Sequence, residues 1–523
     1  MPGWNQNDLT AAAATPLAEG EPFGYVFDAQ GTQHVNYCGQ AGHVYELWWD
    51  TGGWHAKDLS VAGGAPATAS NPRGYMFDAQ GTQHVNYLGP DSHVHELWWD
   101  NNGWHHNDLT AAAPGAPNAV GNPGGYMFVG QGTQHVNYRG TDNHIHELWW
   151  DSNGWHHNDL TAAAAGAPTA VGDPYGYVFN AQGTQHVNYR GTDNHIHELW
   201  WDSNGWHHND LTAAAAGAPN AVGDPYGYVF DRQGTQHVNY RGTDNHIHEL
   251  WWDSNGWHHN DLTAAAAGAP NAVSDPRGYM FAAQGTQHVN YVGTDGHVHE
   301  LWWDGTWHHN DLTAATASTV SAIEAPRGYI FGAQATQHVN FWGTDGDIHE
   351  FWWSAPCSLY LGLNEQHQEQ DEWCWAATTV SISLFYDPGS IWTQCTLVNQ
   401  AFNLTTCCTD GSSAACNQGW WPNLSLPITG NLSSYTNASA PLATVIAEIN
   451  SGRPISIAIW WYGGGGHNPA IDGYDNCDTA APTIDIQDPW YGPSTQDFNS
   501  FPSTYNGGAS WGNTYFTQPY YAA

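Results

Sequence analysis

A repeat of 50 or 51 residues dominates the first two thirds of the sequence, and its clearest copy is GTQHVNYRGTDNHIHELWWDSNGWHHNDLT at Gly132–Thr161. A period of this length is typical of propellers and solenoids and constrains the fold more than any local pattern. The QHVNY core (QHVNF in the last copy) begins at Gln33, Gln83, Gln134, Gln185, Gln236, Gln287 and Gln337.

Each copy has the pattern of four short strands separated by turn residues. In the third copy we expect strands at Gly125–Phe128, Gln134–Arg139, His144–Asp151 and Trp155–Thr161. The intervening GTDN and DSNG segments supply the Asn, Asp and Gly that hairpin turns require. Four strands in about 50 residues is the pattern of a propeller blade.

The two ends of the repeat array indicate a closed ring. Trp4–Thr10 (WNQNDLT) is a fourth-strand motif with no strands before it, and the last copy runs through Asp347–Trp353 without a fourth strand. The first segment would therefore complete the last blade and leave no exposed sheet edge. We expect a seven-bladed, all-β propeller at residues 1–353, closed by strand 4–10.

The sequence after the repeats predicts a second domain of α+β class, at residues 363–523, behind a linker at 354–362. The apolar run Ala376–Tyr386 predicts a buried helix with Cys374 at its N-terminus, where the helix dipole and a nearby charged His favour a thiolate.

Downstream, His467 follows WWYGGGG, and Asp488 begins DPWYG. A helix that starts with Cys, then a strand with His and a strand that ends in Asp, is the order of a papain-like hydrolase.

The motifs Q…WCWAA, GRPI…GGGGH, GYD and DPWYG resemble those of papain-like bacterial cysteine peptidases of the staphopain and AvrRpt2 kind. The resemblance implies that Cys374 is the nucleophile and His467 the base that pairs with it. It implies that Asp488 orients the imidazole, where papain has Asn. Gln368 would donate to the oxyanion hole together with the backbone N–H of the nucleophile.

Two choices at this site stay open from the residues alone. Gln366 and Gln370 are close enough in sequence to take the oxyanion role. Asp472 and Asp475 are alternatives for the orienting acid, although they follow His467 too closely to approach its ring from a neighbouring strand.

The blade pattern, a short strand followed by TDNHIHELWWDSNGW, resembles the fungal fucose-specific lectin family, whose members bind sugar between blades through an Arg, a Glu and aromatic rings. The Glu carries over to Glu46, Glu96, Glu147, Glu198, Glu249, Glu300 and Glu350. The Trp of the fourth strand carries over to Trp54, Trp104, Trp155, Trp206, Trp257, Trp307 and Trp4. The Arg position is occupied by His34, His84, His135, His186, His237, His288 and His338, so that fucose is one possible sugar among others.

Glu and Trp also suit a sugar on chemical grounds. A carboxylate accepts charge-assisted hydrogen bonds from hydroxyls, a Trp face covers the apolar face of a pyranose, and a ring of weak sites gains avidity. The alternative is that these residues recur only because the blade recurs. His144 and His146 share one strand face at a spacing that also suits a metal, but the sequence predicts neither a metal site nor a cofactor.

The charge excludes some partners. With 9 Lys and Arg against 49 Asp and Glu, the net charge is −40, which argues against nucleic acid and anionic lipid. No apolar run is long enough to span a membrane. Seven of the eight Cys lie after the repeats and predict disulfides among the six other than Cys374, with the pairing left open. We therefore expect an extracellular protein, although no signal peptide is visible.

Two functions fit these patterns. The first is a secreted cysteine endopeptidase that cleaves polypeptides, with the propeller binding glycans or glycoproteins. The second is a lectin or agglutinin whose papain-like domain is inactive or has another thiol-dependent activity. A weaker possibility is a propeller that serves as a protein-interaction platform.

Overall fold

The computed structural model describes residues 3–354, 357–477 and 481–520. The chain forms two compact units, of which one, Trp4–Ser354, holds the repeats and the other holds the described residues that follow. None of the helices in these stretches is long and apolar enough to cross a membrane.

The repeats form seven four-stranded antiparallel sheets, which confirms the seven-bladed propeller. The first six blades consist of Phe23–Phe27, Thr32–Cys38, Val44–Asp50, Gly53–Asp58; Arg73–Phe77, Thr82–Leu88, Val94–Asp100, Gly103–Asp108; Ala119–Phe128, Thr133–Gly140, Ile145–Asp151, Gly154–Asp159; Tyr175–Phe179, Thr184–Arg190, Ile196–Asp202, Gly205–Asp210; Tyr226–Phe230, Thr235–Arg241, Ile247–Asp253, Gly256–Asp261; and Arg277–Phe281, Thr286–Val292, Val298–Trp303, Trp307–Asp311. The seventh blade consists of Arg327–Phe331, Thr336–Trp342, Ile348–Ser354 and Gly3–Asp8.

The first segment of the chain closes the ring as expected. The strand Gly3–Asp8 pairs with Ile348–Ser354 at the outer edge of the seventh blade. Thr10 Oγ1 accepts a hydrogen bond from the backbone N–H of Ile348 (2.7 Å), and Asn7 Nδ2 donates to Glu350 (2.9 Å). The ring therefore depends on contacts between residues more than 330 positions apart.

The fourth strand of each blade is shorter than its sequence suggests. The strand expected at Trp155–Thr161 is observed at Gly154–Asp159, because Asp159 caps a short helix by accepting a hydrogen bond from the backbone N–H of Ala162 (2.9 Å). Helices of this kind span Leu9–Ala13, Leu59–Gly63, Leu109–Ala112, Leu160–Ala163, Leu211–Ala214, Leu262–Ala265 and Leu312–Ala315, and a 3₁₀ turn spans Gln40–Gly42.

Apolar residues from two successive blades share each interface. In the third blade, Val136, Tyr138 and Leu148 pack against Val94 and Leu109 of the second, and all five are fully buried. Alternation along the strands places these side chains on one face and His135, Asn137 and Glu147 on the other. The repeat is thus a unit that buries its apolar face only against a neighbour.

The second unit joins a helical part to a sheet. The sheet order is Leu432–Thr436, Ala509–Thr517, Ile455–Trp461, Ala470–Asp475, Thr483–Gln487 and Ser494–Asp497, with Ser358–Tyr360 beside Ala470–Asp475 and Gly466–His467 beside Ile455–Trp461. The helices are Cys374–Tyr386, Gln394–Phe402, Pro422–Thr429 and Leu442–Asn450. Ser358–Tyr360, assigned from sequence to the linker 354–362, is therefore a strand of this sheet.

Each part of this unit has its own apolar core. Trp373 and Trp375 are fully buried in the helical part, where disulfides join Cys395 to Cys408 and Cys407 to Cys416. The sheet part buries Ile457, Ile471 and Ile486, among others. Four of the six cysteines expected in disulfides are thus paired in the described residues.

Candidate functional site

The thiol of Cys374 occupies the start of a buried helix. The helix Cys374–Tyr386 begins two residues before the apolar run that predicted it, and its first ten residues are buried. Cys374 is 9% exposed, outside any disulfide, and its Sγ lies 3.7 Å from Oδ1 of Asn468. The thiol therefore lies at the N-terminal end of this helix.

His467 lies between this thiol and Asp488. Its Nε2 is 2.9 Å from each carboxylate oxygen of Asp488, and the Cys374 side chain is its other hydrogen-bonding partner. Burial opposes a charge on the imidazole, but these hydrogen bonds and the charges of both partners raise the pKa of His467 to about 9. The three expected residues are therefore brought together, with the imidazole favoured in its charged form.

Asp488 is held by several donors. Its carboxylate accepts hydrogen bonds from the backbone N–H groups of Trp490 and Tyr491 (2.8 Å each) and from the hydroxyl of Tyr505 (2.7 Å). Burial alone would raise its pKa, but His467 and these donors hold the pKa below its usual value. The carboxylate is thereby kept charged and fixed in direction.

The alternative acids have other partners. The fully buried Asp472 accepts from Gln487 Nε2 and from the backbone N–H of Leu363. Asp475 is an exposed residue at the end of its strand. Geometry thus favours Asp488 as the acid beside His467.

The Gln368 side chain is near the site but is already engaged. Its Nε2 donates to the backbone carbonyls of Gln370 and Asp371 (2.8 Å each), which uses both N–H groups of the amide. Its Oε1 is buried and has no hydrogen-bond partner within the described stretches. The oxyanion role of Gln368 therefore stays a prediction, and it requires the amide to leave these carbonyls. Gln366 accepts from Gln394 (3.2 Å).

Sequence reasoning missed three supporting residues. Trp461 lies flat against the His467 ring (centroids 5.8 Å apart, 25° between planes), Tyr505 binds Asp488, and Asn468 lies beside Cys374. Trp461 lies two residues before the GGGGH motif and Asn468 directly after it, so the sequence could have indicated both. Tyr505 has no local signal, because a loop 17 residues away brings it to Asp488.

Exposed aromatic side chains lie next in sequence to two parts of the site, and one of them, Tyr491, contacts the His467 ring. Trp490 and Tyr491 follow Asp488 and are 45% and 54% exposed, and Tyr462, next to Trp461, is 67% exposed.

In the propeller, the predicted Glu and His positions are buried and bonded to each other. In the third blade, Glu147 accepts from His135 Nδ1 (2.8 Å) and from Asn158 Nδ2 (2.9 Å), and Glu147 and His135 are 1% and 3% exposed. The same His–Glu pair recurs as His34–Glu46, His84–Glu96, His186–Glu198, His237–Glu249, His288–Glu300 and His338–Glu350.

A third partner of some of these carboxylates comes from the next blade. Gln134 of the third blade donates to Glu96 of the second and to the hydroxyl of Tyr75. Gln83 and Gln337 do the same for Glu46 and Glu300. These carboxylates lie between blades, where the resemblance places the sugar, but protein donors occupy them. Their role in sugar binding stays a prediction.

The predicted Trp side chains keep part of their surface exposed to solvent. Trp155 is half-buried at the edge of the cluster between the second and third blades. The other fourth-strand Trp are half-buried in the same way, namely Trp4, Trp54, Trp104, Trp206, Trp257 and Trp307. These rings can contact a ligand without rearrangement, and sugar binding by them also stays a prediction.

The His pair of each blade lies among carboxylates. In the third blade, His144 Nδ1 is 2.8 Å from Asp159, while the buried His146 bridges Asp142 (3.1 Å) and His157 (3.0 Å). Donor atoms of Asp142, His144 and Asp159 lie within 4.8 Å of one another, so these residues are able to hold a metal ion. Hydrogen bonds between the side chains also account for the arrangement.

Comparison with known proteins gives two family matches and no match among curated proteins. Residues 358–506 match the model for "papain-like cysteine protease AvrRpt2", and residues 130–325 match the model for "fungal fucose-specific lectin".

Similar solved structures include the BP39L lectin from Burkholderia pseudomallei, with 14% identity, 64% of this chain and 96% of that chain covered, and a TM-score of 0.49. Another is the fucose-specific lectin from Aleuria aurantia, with 14% identity, coverage of 56% and 96%, and a TM-score of 0.40. The chain joins a seven-bladed propeller that resembles the fungal fucose-specific lectins to an α+β region that resembles the papain-like cysteine peptidases.

Proposed function

We propose that this protein is an extracellular cysteine endopeptidase whose chemistry is performed by Cys374, His467 and Asp488. The observation that supports it most is the alignment of a helix-terminal thiol, an imidazole and a charged carboxylate in one buried row. The nucleophile–base–orienter order is the arrangement by which thiol hydrolases activate sulfur.

In the proposed reaction, the Cys374 thiolate attacks the carbonyl carbon of a peptide bond. His467, as imidazolium, then donates its proton to the departing amine, which leaves an acyl-enzyme. Water attacks the thioester with the neutral imidazole as base, and the thiolate is regenerated. Asp488 keeps the ring oriented and stabilises its charged form throughout.

The test is cleavage of an unfolded protein such as casein by the full chain. We expect Cys374→Ala to lower the rate by ~10³-fold or more, as removal of a catalytic nucleophile does. Cys38→Ala, which removes a buried thiol of the propeller, is the matched control and should leave the rate unchanged. Full activity in Cys374→Ala would exclude the proposal and favour a domain with no thiol chemistry.

We further propose that the propeller binds glycans and concentrates the peptidase on glycoproteins. The match of residues 130–325 to the lectin family and the partly exposed Trp ring support this second role. The test is a glycan array probed with the full-length Cys374→Ala protein, so that binding is measured in the absence of peptidase activity. Binding that falls when Trp155, Trp206 and Trp257 become Phe would support it, and no binding to any glycan would favour an interaction platform.

The extracellular location rests on the two disulfides, which persist in oxidising compartments. Detection of the protein in the culture medium of its source, against a cytoplasmic marker, tests this point. Retention inside the cell would contradict it.

A further inference from the structure

A carboxyl group that the proposed reaction does not use lies close to the thiol–imidazole pair. It belongs to Glu365, in the segment between the strand Ser358–Tyr360 and the helix of the nucleophile. Before it, the backbone N–H of Leu363 donates to Asp472 (2.9 Å). After it, the backbone N–H of Gln366 donates to the side chain of a helix residue (2.8 Å). The chain is therefore fixed on both sides of Glu365.

The two carboxyl oxygens of Glu365 have different surroundings. Oε1 lies 2.9 Å from the hydroxyl of Thr378. Oε2 is shielded from solvent, although the residue as a whole is half-buried, and it has no hydrogen-bond partner within the stretches that the structure describes. A carboxylate charge is costly where one of its oxygens is buried without a donor, so these surroundings favour the neutral acid.

The hydroxyl of Thr378 indicates where the proton of this acid lies. Thr378 is 1% exposed and lies one turn after Cys374 on the same helix. Its Oγ1 is also 2.6 Å from the backbone carbonyl of Asn468, which only accepts. A hydroxyl has one hydrogen to donate, and the carbonyl is the closer acceptor. The remaining contact, with Glu365, is then a hydrogen bond that the carboxylic acid donates to the Thr378 oxygen.

The charges around Glu365 favour the same protonation state. Burial raises the pKa of Glu365 well above its usual value, and the carboxylates of Asp488 and Asp472 add to this effect. The hydroxyl of Thr378 and the charge of His467 oppose the shift without cancelling it. A further charged carboxylate would also repel the thiolate, so the neutral acid leaves the charge balance of the thiol–imidazole pair undisturbed.

The hydrogen bonds from Glu365 lead to the backbone beside the imidazole. Asn468 directly follows His467, and its side-chain Oδ1 lies 3.7 Å from Cys374 Sγ. Through its backbone carbonyl, Asn468 is joined to Thr378 on the helix of the thiol. This bond connects the part of the chain that carries the base to the helix that carries the nucleophile. A donor at position 365 directs the hydroxyl of Thr378 toward that carbonyl.

We propose that Glu365 is a positioning residue: as a neutral acid it donates to Thr378 and thereby fixes the backbone next to His467 relative to the thiol. The inference rests on the role in peptide cleavage proposed above for the thiol–imidazole pair. Glu365 acts through the hydroxyl and not on the reacting atoms. Because a donor is required and a charge is not, an amide should replace the acid, whereas a methyl group should not.

The test compares side chains at position 365 in the full chain, with peptide hydrolysis as the measurement. Glu365→Ala removes the donor, and we expect kcat to fall ~10-fold while KM changes less than ~2-fold. Glu365→Gln presents an N–H in place of the O–H and should restore kcat to within ~3-fold of the wild type. If Glu365→Gln is as impaired as Glu365→Ala, the residue does not act as a neutral donor and the proposal fails.

Variants of the helix test the bond that transmits the effect. Thr378→Val should match Glu365→Ala, and the double variant should be no slower than either single variant, because both remove one connection. Thr379→Val is the matched control, since the buried hydroxyl that it removes from the same helix is bonded to Ser425 (2.7 Å). Additive losses in the double variant would contradict the proposal. If Glu365→Ala does not fold, Thr378→Val and Glu365→Gln are compared with the wild type, and equal kcat in Thr378→Val and the wild type would overturn it.

A second measurement does not depend on cleavage. The rate at which iodoacetamide alkylates Cys374, followed by mass spectrometry of its peptide, reports the thiolate. Near pH 6 we expect alkylation to be ~10-fold slower in Glu365→Ala and close to the wild-type rate in Glu365→Gln. This pattern in a protein that cleaves no peptide would remove the proposed function and keep the positioning role. Equal alkylation of the wild type and Glu365→Ala, with equal cleavage, would overturn the positioning role alone.

Discussion

The Nε2 atom of His467 is equidistant, at 2.9 Å, from the two carboxylate oxygens of Asp488. This contact places one N–H against a full negative charge in a buried site, where an ion pair is stronger than in water. The Cys374 side chain is the other hydrogen-bonding partner of this imidazole. The protonation state of the imidazole is therefore controlled by Asp488, and the pH dependence of both activity and stability depends on this contact.

Asp488→Asn is expected to move the upper limit of activity to lower pH. In the wild type the imidazolium persists up to its pKa of about 9, and the rate should fall above that value because the proton donor to the amine is lost. Asn removes the negative charge, so the pKa of His467 should fall toward 6.5, and the rate at neutral pH should fall ~10–100-fold. The measurement is kcat/KM against pH; an unchanged upper limb would contradict this role.

The same contact predicts a pH-dependent stability. Because the pKa of His467 is higher in the folded protein than in the unfolded chain, its contribution is complete below pH 6.5 and is lost as the pH rises to about 9. Urea unfolding of the peptidase unit should show this decline in the wild type and a smaller one in Asp488→Asn. If the unfolding free energy fell equally with pH in both proteins, groups other than His467 would be responsible for the decline.

Tyr505→Phe tests the supporting donor that the sequence did not reveal. Loss of the hydroxyl bond to Asp488 should raise the pKa of the carboxylate and loosen its orientation, and we expect a ~3–10-fold fall in kcat with little change in KM. Tyr474→Phe is the matched control, since the hydroxyl bond that it removes goes to Asn450 (2.7 Å) and not to a residue of the proposed catalytic set. Equal effects of the two variants would indicate a general loss of stability.

The disulfides of the helical part should stabilise the helix that carries the nucleophile. They close loops of 13 and 9 residues, and removal of either by Cys→Ala at both of its cysteines should cost ~2–3 kcal/mol of unfolding free energy. The backbone carbonyl of Cys416 also accepts from Trp373, the residue before the nucleophile (2.9 Å). Loss of the Cys407–Cys416 disulfide should therefore lower activity more than loss of Cys395–Cys408. The measurement is the rate of peptide hydrolysis by the two variants at a temperature where both are folded.

Much of the architecture was predictable because the repeat is nearly exact. The seven copies and the unmatched fourth strand at Trp4 predict the closed ring without any knowledge of packing. The order of Cys374, His467 and Asp488 predicts which residues meet. What the sequence does not show is which hydrogen bonds the neighbours already make. Gln368 has the expected spacing, yet backbone carbonyls hold its amide.

The propeller gives the same lesson for polar residues. Glu147 and His135 occupy positions that in the lectin family bind sugar, but in this chain they bind each other, with Asn158 completing the set. A one-dimensional pattern identifies a face and cannot tell whether that face is open to solvent or covered by the next blade. The short helix after Asp159 was missed for a related reason, since HNDLT alternates like a strand although its Asp is a cap.

Glu147→Gln separates a structural from a sugar-binding role. Glu147 accepts one hydrogen bond on each carboxylate oxygen, and in Gln an NH₂ group replaces one of these oxygens. A donor would then face a donor in a buried site, which should lower the unfolding free energy of the propeller by ~1–3 kcal/mol. The exposed Glu19→Gln is the control and should cost nothing measurable. If Glu147 also contacts sugar, a glycan identified on the array should bind with one site fewer by calorimetry. An unchanged site number would leave the carboxylate with a structural role alone.

Deletion of residues 1–10 should open the ring. The strand Ile348–Ser354 would become an exposed edge, and the fully buried Leu9 would be lost from the interface between the seventh and first blades. Exposed edges pair with other chains, so the truncated protein is expected to form dimers or larger species and to unfold at lower temperature. Asn7→Ala removes only the bond to Glu350 and leaves the strand in place, so it should keep the mass of the wild type by light scattering. If the truncated protein kept the oligomeric state and the melting temperature of the wild type, the ring would be shown to close without this strand.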